Sequence, residues 1–390
     1  MEHFRYCKPT CVIYGNGEFA SLGKEAAKWG SRALLVKDAG PLEQLGVYDK
    51  ARRYLQQSGL RVFELGGITS NPRLSKIDEG IALAKKENID IIIAVGGGSC
   101  IDTAKTIALG AADELDVWDF FCGRRTPTAS LPVGVVTTIA GTGSETDDTA
   151  VVSYDREEPH AKWDCFSFLN YPKFAILDPQ LHVTVPRGLT AAGMADAISH
   201  AAEAYFFDDT VEPFLDQYVE GLVRTIISCD RVLEEPDNLE LRGMLCWCTS
   251  LAIDGLGNVG RKLHPVTSWP GHLVLAGVTA VNDTHHGKGM AVMLPACCEL
   301  VNETNPVKTA RFAREVFGLK EADGMTERAL GKAGVDRLRQ MYRSWGLPVT
   351  LPELGVQKSQ VPQIVEAVMR HPGRGKVTQE YVEQLLDKCF

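Results

Sequence analysis

Several features that would place this chain in a specialised class are missing from its sequence. It contains no run of about 18 or more uncharged apolar residues, so we do not expect a membrane span. Its first ten residues, MEHFRYCKPT, carry an early acid and no apolar stretch, which is not typical of a signal peptide. The net charge of −9 argues against a nucleic-acid partner, because phosphate binding needs a basic face. These absences together predict a cytoplasmic protein.

Paired cysteines are also missing. The chain has 11 cysteines, but none lies in a CxxC pair, which weakens a zinc-ribbon or thioredoxin interpretation. An odd number of cysteines without a secretion signal indicates reduced thiols in a reducing compartment. We expect most of them to be small buried apolar residues.

The pattern of apolar residues divides the 390-residue chain into two halves. Up to about residue 186, short runs such as ALLVKD (33–38), IDIIIAVGGGS (89–99) and LPVGVVTT (131–138) alternate with helical stretches. Continuous β-branched runs of this kind predict a parallel sheet covered on both faces. Beyond that point long amphipathic helical patterns take over. We therefore predict an α/β dinucleotide-binding domain over 1–186 and an all-α metal-binding domain over 187–390.

Two glycine-containing segments follow predicted buried strands. Gly96-Gly97-Gly98-Ser99 lies where a strand meets a helix, so backbone N–H groups and the helix N-terminus could hold a diphosphate. A tight turn without a ligand explains that segment equally well, and it is not the GxGxxG fingerprint. The second segment, 137–145 (TTIAGTGSE), should leave the same edge of the sheet. Its hydroxyls and backbone donors favour a cofactor site over a flexible surface loop.

Asp38 ends the second predicted strand, within reach of an adenosine ribose. A carboxylate accepts hydrogen bonds from the 2′- and 3′-hydroxyls of the ribose and repels a 2′-phosphate. The sequence therefore favours NAD(H) over NADP(H), although an acid at a strand end is often only solvated.

Four polar residues of the second half could bind one cation. Asp196 and His200 are four residues apart and share one helix face, although such a pair more often forms a hydrogen bond than a metal site. His272 and His286 follow downstream, and His264 and His285 are their rivals. One carboxylate with three imidazoles suits Fe²⁺ or Zn²⁺ and leaves room for substrate or water.

Taken together, these motifs resemble the iron-containing (group III) alcohol dehydrogenases, in particular the butanol-dehydrogenase-like branch. The resemblance extends from YGNG (14–17) through GGGSCIDTAK (96–105), TTIAGTGSE (137–145) and GMADAISHAAEAY (193–205) to HHGKGMAVMLP (285–295). It implies a dehydroquinate-synthase-like fold, a homodimer or larger homo-oligomer, and a divalent metal, Fe²⁺ before Zn²⁺. The metal ligands, which are also the catalytic residues, would be Asp196, His200, His272 and His286. The residues around the cofactor would be Asp38, Gly97, Gly98, Ser99, Asp102, Thr138, Thr142 and Lys162. Many members carry a second histidine four residues after the third ligand, whereas this chain has Ala276.

The expected activity is NAD(H)-linked interconversion of a small aldehyde, of about two to four carbons, and its alcohol. Arg261, Lys262 and His264 lie in a long loop. They could form an electropositive rim for an anionic aldehyde, or the loop could simply be solvated. Two rival functions remain. A sugar-phosphate cyclase of dehydroquinate-synthase type would need several basic residues near the metal, and 193–205 with 269–290 offer only Lys288. A non-catalytic metal- or nucleotide-binding protein would not need both a four-residue metal site and two cofactor loops.

Overall fold

The computed structural model describes residues 2–156, 158–208, 210–262, 269–321 and 324–390. His264 therefore lies outside the described residues. The described chain separates into two compact units. The sheet unit comprises Cys7–Val185 together with Pro236–Ser250, and the helical unit comprises the described residues of 2–6, 186–235 and 251–390.

The sheet unit contains eight strands among its described residues. They are β1 (Cys11–Tyr14), β2 (Arg32–Asp38), β3 (Arg61–Ile68), β4 (Ile91–Gly96), β5 (Val133–Thr137), β6 (Thr149–Tyr154), β7 (Ala161–Phe166) and β8 (Phe174–Leu177). Its helices are α1 (Leu22–Ala26), α2 (Val47–Gln57), α3 (Leu74–Lys86), α4 (Gly98–Ala111) and α5 (Trp118–Phe121). The apolar runs at 33–38, 89–99 and 131–138 overlap β2, β4 and β5, so these strand predictions are confirmed.

Six of these strands form one parallel sheet in the order β1-β8-β5-β4-β2-β3. All six residues of β4 are buried, and they alternate between two hydrophobic clusters. Ile92 and Ala94 join one cluster, whereas Ile91, Ile93 and Val95 join the other. The sheet is thus covered on both faces, as the continuous apolar runs predict.

The strand order contains a topological switch point between β2 and β4. The chain leaves β2 toward β3 on one side, and it leaves β4 toward β5 on the other. In open α/β sheets the crevice at the carboxyl ends of such strands is the usual ligand site. The carboxyl ends of β2 and β4 are Asp38 and Gly96. Two of the predicted cofactor segments therefore begin at this crevice.

An antiparallel pair, β6 and β7, was not predicted from the sequence. The segment between the two strands, residues 155–160, is largely polar. Both strands mix polar with apolar residues, so the alternation of apolar and polar positions that predicts a strand is weak here. The pair matters for the site because Lys162 lies on β7.

The helical unit bears out the predicted all-α second half. Its helices are α6 (Arg187–Phe206), α7 (Pro213–Ser228), α9 (Pro270–Asn282), α10 (His286–Thr304), α11 (Pro306–Phe317), α12 (Glu327–Ser344), α13 (Val361–Met369) and α14 (Gln379–Lys388). One further helix, α8 (Leu239–Ala252), belongs through Ser250 to the sheet unit. None of the helices in the described ranges is both long and apolar enough to cross a membrane. All 11 cysteines are free, and Cys7 and Cys11 are the two that are exposed, which confirms the expected buried thiols.

Candidate metal centre and cofactor loops

Helix α6 presents three acidic or imidazole side chains on one face. Asp196, His200 and Glu203 are spaced i, i+4, i+7, which aligns them along about two turns. Each is buried, in a helix whose other neighbours are small and apolar. Burying polar groups in such surroundings is unfavourable unless they are satisfied together. The helix therefore supports a site that binds through several of these groups.

Two imidazoles from the first turns of other helices meet this face. His272 lies in the first turn of α9, and His286 is the first residue of α10. The Nε2 atoms of His200, His272 and His286 lie 3.9, 3.9 and 3.3 Å from Asp196 Oδ1. The four residues each offer one ligand atom, and these atoms all lie within 4.8 Å of one another. The structure thus brings together the four residues that the sequence singled out.

The donor set fits a divalent transition metal. A metal about 2.0–2.2 Å from each ligand separates the ligand atoms by about 3–4 Å, as found around Asp196 Oδ1. Burial and the neighbouring His272 hold the pKa of His200 well below its usual value, so this imidazole is neutral, as a ligand must be. Asp196 is 3% exposed and His286 is 29% exposed, so the site is closed on one side and accessible on the other.

Of the two rival histidines, the one that the structure describes, His285, does not join this group. His285 forms the N-cap of α10, where its carbonyl accepts a hydrogen bond from Gly289 N–H. It is not among the four residues whose ligand atoms converge. His264, the other rival, lies outside the described residues.

Glu203 is the residue that sequence reasoning missed. Its Oε1 lies 2.7 Å from His272 Nδ1, and its Oε2 accepts a hydrogen bond from Gly271 N–H at 3.1 Å. Trp269 packs edge-on against the same imidazole, with ring centroids 5.0 Å apart. The signal was present in the sequence, because Glu203 follows His200 by three residues and so lies on the same helix face.

The predicted cofactor segments lie together at the carboxyl edge of the sheet. Gly96 of β4 pairs with Thr137 of β5, so the two loops leave the sheet side by side. Thr138 N–H donates to Gly96 O at 3.1 Å, and Asp38 Oδ2 accepts from Gly97 N–H at 2.9 Å. Asp38, Gly97 and the 138–145 loop therefore form one continuous surface.

Glycine is required where these loops meet. A Cβ on Gly98 would lie 2.6 Å from Thr142 Oγ1, and one on Gly97 would lie 2.7 Å from Ile139 Cγ2. Gly98 is also the first residue of α4, whose first-turn N–H groups have no partner within the helix. Exposed backbone donors in a cradle that a side chain would fill suit a diphosphate. Ser99 lies in the same first turn.

The remaining predicted cofactor residues have internal partners. Asp102 accepts hydrogen bonds from Ser144 Oγ at 2.6 Å and from Val151 N–H at 3.1 Å, so it braces the 138–145 loop. Lys162 Nζ donates to Asn71 Oδ1 at 2.9 Å. These contacts place both residues next to the loops, and direct contact with a cofactor stays a prediction.

Arg261 is neither a rim residue nor a solvated one, so both sequence interpretations of it are wrong. Its guanidinium is fully buried and pairs with Asp208 Oδ2 at 2.9 Å and Asp216 Oδ1 at 2.7 Å. Lys308 Nζ also contacts Asp216, at 3.2 Å. The two aspartates attract Arg261 into the interior of the helical unit. Lys262 is exposed.

Comparison with known proteins agrees with this geometry. The family model "Iron-containing alcohol dehydrogenase" matches residues 9–179, and "Fe-containing alcohol dehydrogenase family, C-terminal" matches residues 190–390. A probable NADH-dependent butanol dehydrogenase of Bacillus subtilis is 35% identical over 95% of this chain and 94% of its own length. An NADPH-dependent aldehyde reductase of Escherichia coli is 28% identical over 95% of this chain and 94% of its own length.

A solved structure supports the same assignment. The NADH-dependent butanol dehydrogenase A of Thermotoga maritima superimposes with a TM-score of 0.93 and 32% identity, covering 100% of this chain and 99% of its own. The two family models together span both halves of the chain, including every converging metal-site residue. The chain belongs to the iron-containing alcohol dehydrogenase family.

Proposed function

We propose that this protein is a metal-dependent, NAD(H)-linked alcohol dehydrogenase that interconverts a small aldehyde and its primary alcohol. The observation that carries the proposal is the convergence of Asp196, His200, His272 and His286 within 4.8 Å. Family membership and relatives that are named butanol dehydrogenases and aldehyde reductases support the same chemistry.

Asp196, His200, His272 and His286 would hold the metal, Fe²⁺ in preference to Zn²⁺. When bound, the metal supplies a Lewis acid that polarises a carbonyl oxygen. The side chain of His286 is partly exposed, so substrate would approach the metal past His286, whereas Asp196 is buried. With Ala276 in place of a second histidine, proton exchange would use water or a cofactor hydroxyl.

NAD(H) is the proposed cofactor. Gly98 and Ser99 would present backbone N–H groups to the diphosphate, with Gly97 and Thr142 beside them, whereas Asp38 would accept hydrogen bonds from the ribose. No lysine or arginine of the described residues pairs with Asp38, so a 2′-phosphate would meet an uncompensated negative charge there. Several relatives are named as NADH-dependent, which agrees with this preference.

The proposed substrate is an uncharged aldehyde of about two to four carbons. The anionic alternative placed Arg261, Lys262 and His264 at the rim of the site, and of these Arg261 is buried between two aspartates. The cyclase alternative needs a basic cluster for a phosphate. In the sequence segments that carry the metal ligands, 193–205 and 269–290, Lys288 is the only lysine or arginine.

We make three further proposals, on the domain boundary, the oligomeric state and the cellular location. We place the domain boundary between residues 186 and 187, we expect a homodimer or larger homo-oligomer, and we expect the protein in the cytoplasm. The boundary is supported by the two family models, which end at residue 179 and begin at residue 190.

The test is reconstitution of metal-free protein separately with Fe²⁺ and Zn²⁺, followed by a panel of aldehydes with NADH and NADPH. We expect butanal-sized aldehydes to be reduced with NADH. The variant His286→Ala should lose bound metal and turnover, whereas the matched variant His285→Ala should keep both. Full turnover by metal-free His286→Ala protein would refute the proposal.

A further inference from the structure

Glu203 is a buried carboxylate whose two oxygens face two donors of one short segment. Gly271 N–H donates to Oε2, and His272 Nδ1 lies 2.7 Å from Oε1. Both donors belong to the first turn of α9, in which backbone N–H groups have no partner inside the helix. A carboxylate is favoured at that end of a helix by the helix dipole. Glu203, on α6, therefore stabilises the N-terminal turn of α9.

The same carboxylate selects the tautomer of His272. A carboxylate oxygen can only accept a hydrogen bond, so Nδ1 carries the ring proton and Nε2 keeps its lone pair. Nε2 is the atom that points toward Asp196 Oδ1, at 3.9 Å. Glu203 and Asp196 together would also offset the two positive charges of a bound divalent ion, in a site where unbalanced charge is costly.

Gly271 leaves the space that this arrangement needs. A Cβ at that position would lie 2.8 Å from Glu203 Oε1 and 3.2 Å from Cys297 Sγ. Both atoms are buried, so neither could move away into solvent. The absence of a side chain at Gly271 is thus part of the contact between Glu203 and His272.

We infer that Glu203 is a positioning residue that presents His272 Nε2 to the metal, with Gly271 as the space that permits the contact. This inference rests on the proposed metal-dependent function. Outer hydrogen-bond partners of histidine ligands typically change metal affinity or activity by about 10- to 100-fold when they are removed. Glu203 would act through His272 and would not itself contact metal or substrate.

Glu203→Gln tests the tautomer. Glutamine offers one acceptor oxygen and one NH₂ group to two donors, so one of them must meet an N–H group. If the amide turns its NH₂ toward His272, the imidazole must accept at Nδ1 and carry its proton on Nε2, which closes the lone pair to metal. We expect Zn²⁺ affinity, measured by competition with a chelator, to fall about 10- to 100-fold. The visible absorption of bound Co²⁺ should change as well.

Two matched controls separate this effect from a general loss of stability. Glu220→Gln alters another buried glutamate, which accepts hydrogen bonds from Tyr205 and Arg311 and lies outside the ligand group. Gly188→Ala alters the second residue of α6, as Gly271 is the second residue of α9, but nothing lies within 4 Å of the added Cβ. Both controls should bind Zn²⁺ within about twofold of wild type.

The outcomes are distinct. Weaker Zn²⁺ binding by Glu203→Gln and by Gly271→Ala, with normal NADH binding and normal controls, would support the inference. Wild-type affinity in folded Glu203→Gln and Gly271→Ala proteins would overturn it, as would equal loss in Glu220→Gln. If Glu203→Gln does not fold, the Zn²⁺ affinity of Gly271→Ala is the test: weaker binding would support the inference, and wild-type binding would overturn it. A wild-type protein that binds no metal would instead refute the proposed function itself.

Discussion

Replacing Asp38 by asparagine should make the protein more stable and a poorer NADH enzyme. The carboxylate lies at the carboxyl end of β2, and among the described residues its only hydrogen-bond donor is Gly97 N–H. Asparagine keeps an oxygen for that donor but carries no charge. The substitution therefore removes the charge from the carboxyl edge of the sheet with little change of shape.

The size of the stability gain follows from the pKa of Asp38, which burial raises from 3.8 to about 6 despite the opposing hydrogen bond from Gly97. Because the folded state holds the proton more tightly than the unfolded state, the neutral form stabilises the fold, and that contribution is lost as the pH rises through about 6. If asparagine behaves like the neutral acid, the free energy of unfolding should rise by about 3 kcal/mol at most at pH 8. At about pH 5 the gain should be roughly half as large.

Cofactor binding should change in the opposite direction. The ionised carboxylate accepts hydrogen bonds from ribose hydroxyls and repels a 2′-phosphate. We expect wild-type affinity for NADH to fall as the pH drops through about 6, and Asp38→Asn to lose most of that dependence. The ratio of NADH to NADPH affinity should fall about tenfold or more. Urea unfolding at two pH values and fluorescence titration with each cofactor measure both effects.

Asp178→Asn is the matched control. Asp178 follows β8 and accepts hydrogen bonds from Phe19 and Gln180 N–H groups, away from the switch point. Its substitution should not alter the cofactor ratio. The proposed destabilising effect of the Asp38 charge would be refuted if Asp38→Asn were no more stable than wild type at pH 8. The proposed role of Asp38 in cofactor selection would be refuted if the ratio of NADH to NADPH affinity did not change.

Three further predictions follow from the geometry. Arg261→Met removes the guanidinium that pairs with the carboxylates of Asp208 and Asp216, so the free energy of unfolding in urea should fall by about 3–5 kcal/mol. The preference between neutral and anionic aldehydes should stay unchanged, and a change in that preference would support an electropositive rim. Gly98→Ala forces the 138–145 loop away from α4, so NADH should bind at least about tenfold more weakly. Unchanged NADH affinity would contradict the proposed diphosphate site at Gly98. Adding Zn²⁺ at about 100 times its dissociation constant should stabilise metal-free protein by about 2.7 kcal/mol in thermal unfolding, and no shift would argue against a metal site.

The metal centre shows how far local sequence reasoning extends. Asp196 and His200 share a helix face by their spacing alone, so their proximity could be predicted before any fold was known. Their meeting with His272 and His286 could not be derived that way, because it depends on how α6, α9 and α10 pack. The residues alone left His264 and His285 as rival ligands, and the family resemblance selected among them. Glu203 could have been found from its position on α6, but its partner on α9 could not.

Arg261 illustrates the opposite limit. Its immediate neighbours, Gly260 and Lys262, are small or charged, so the sequence around it predicts a solvated loop or a charged rim. Its actual partners, Asp208 and Asp216, are 53 and 45 residues away along the chain. Whether an arginine is solvated or buried depends on such distant carboxylates, because a buried charge is tolerated only when it is paired.

The sequence alone determined the parallel sheet, the helical second half and the loops that follow β4 and β5, because apolar periodicity and glycine placement act over a few residues at a time. Tertiary structure decided which histidines meet one aspartate, that Asp38 borders the switch point between β2 and β4, and that Arg261 is internal. Each of these depends on groups far apart in the chain, and only the packing of whole helices and strands brings such groups within a few ångströms.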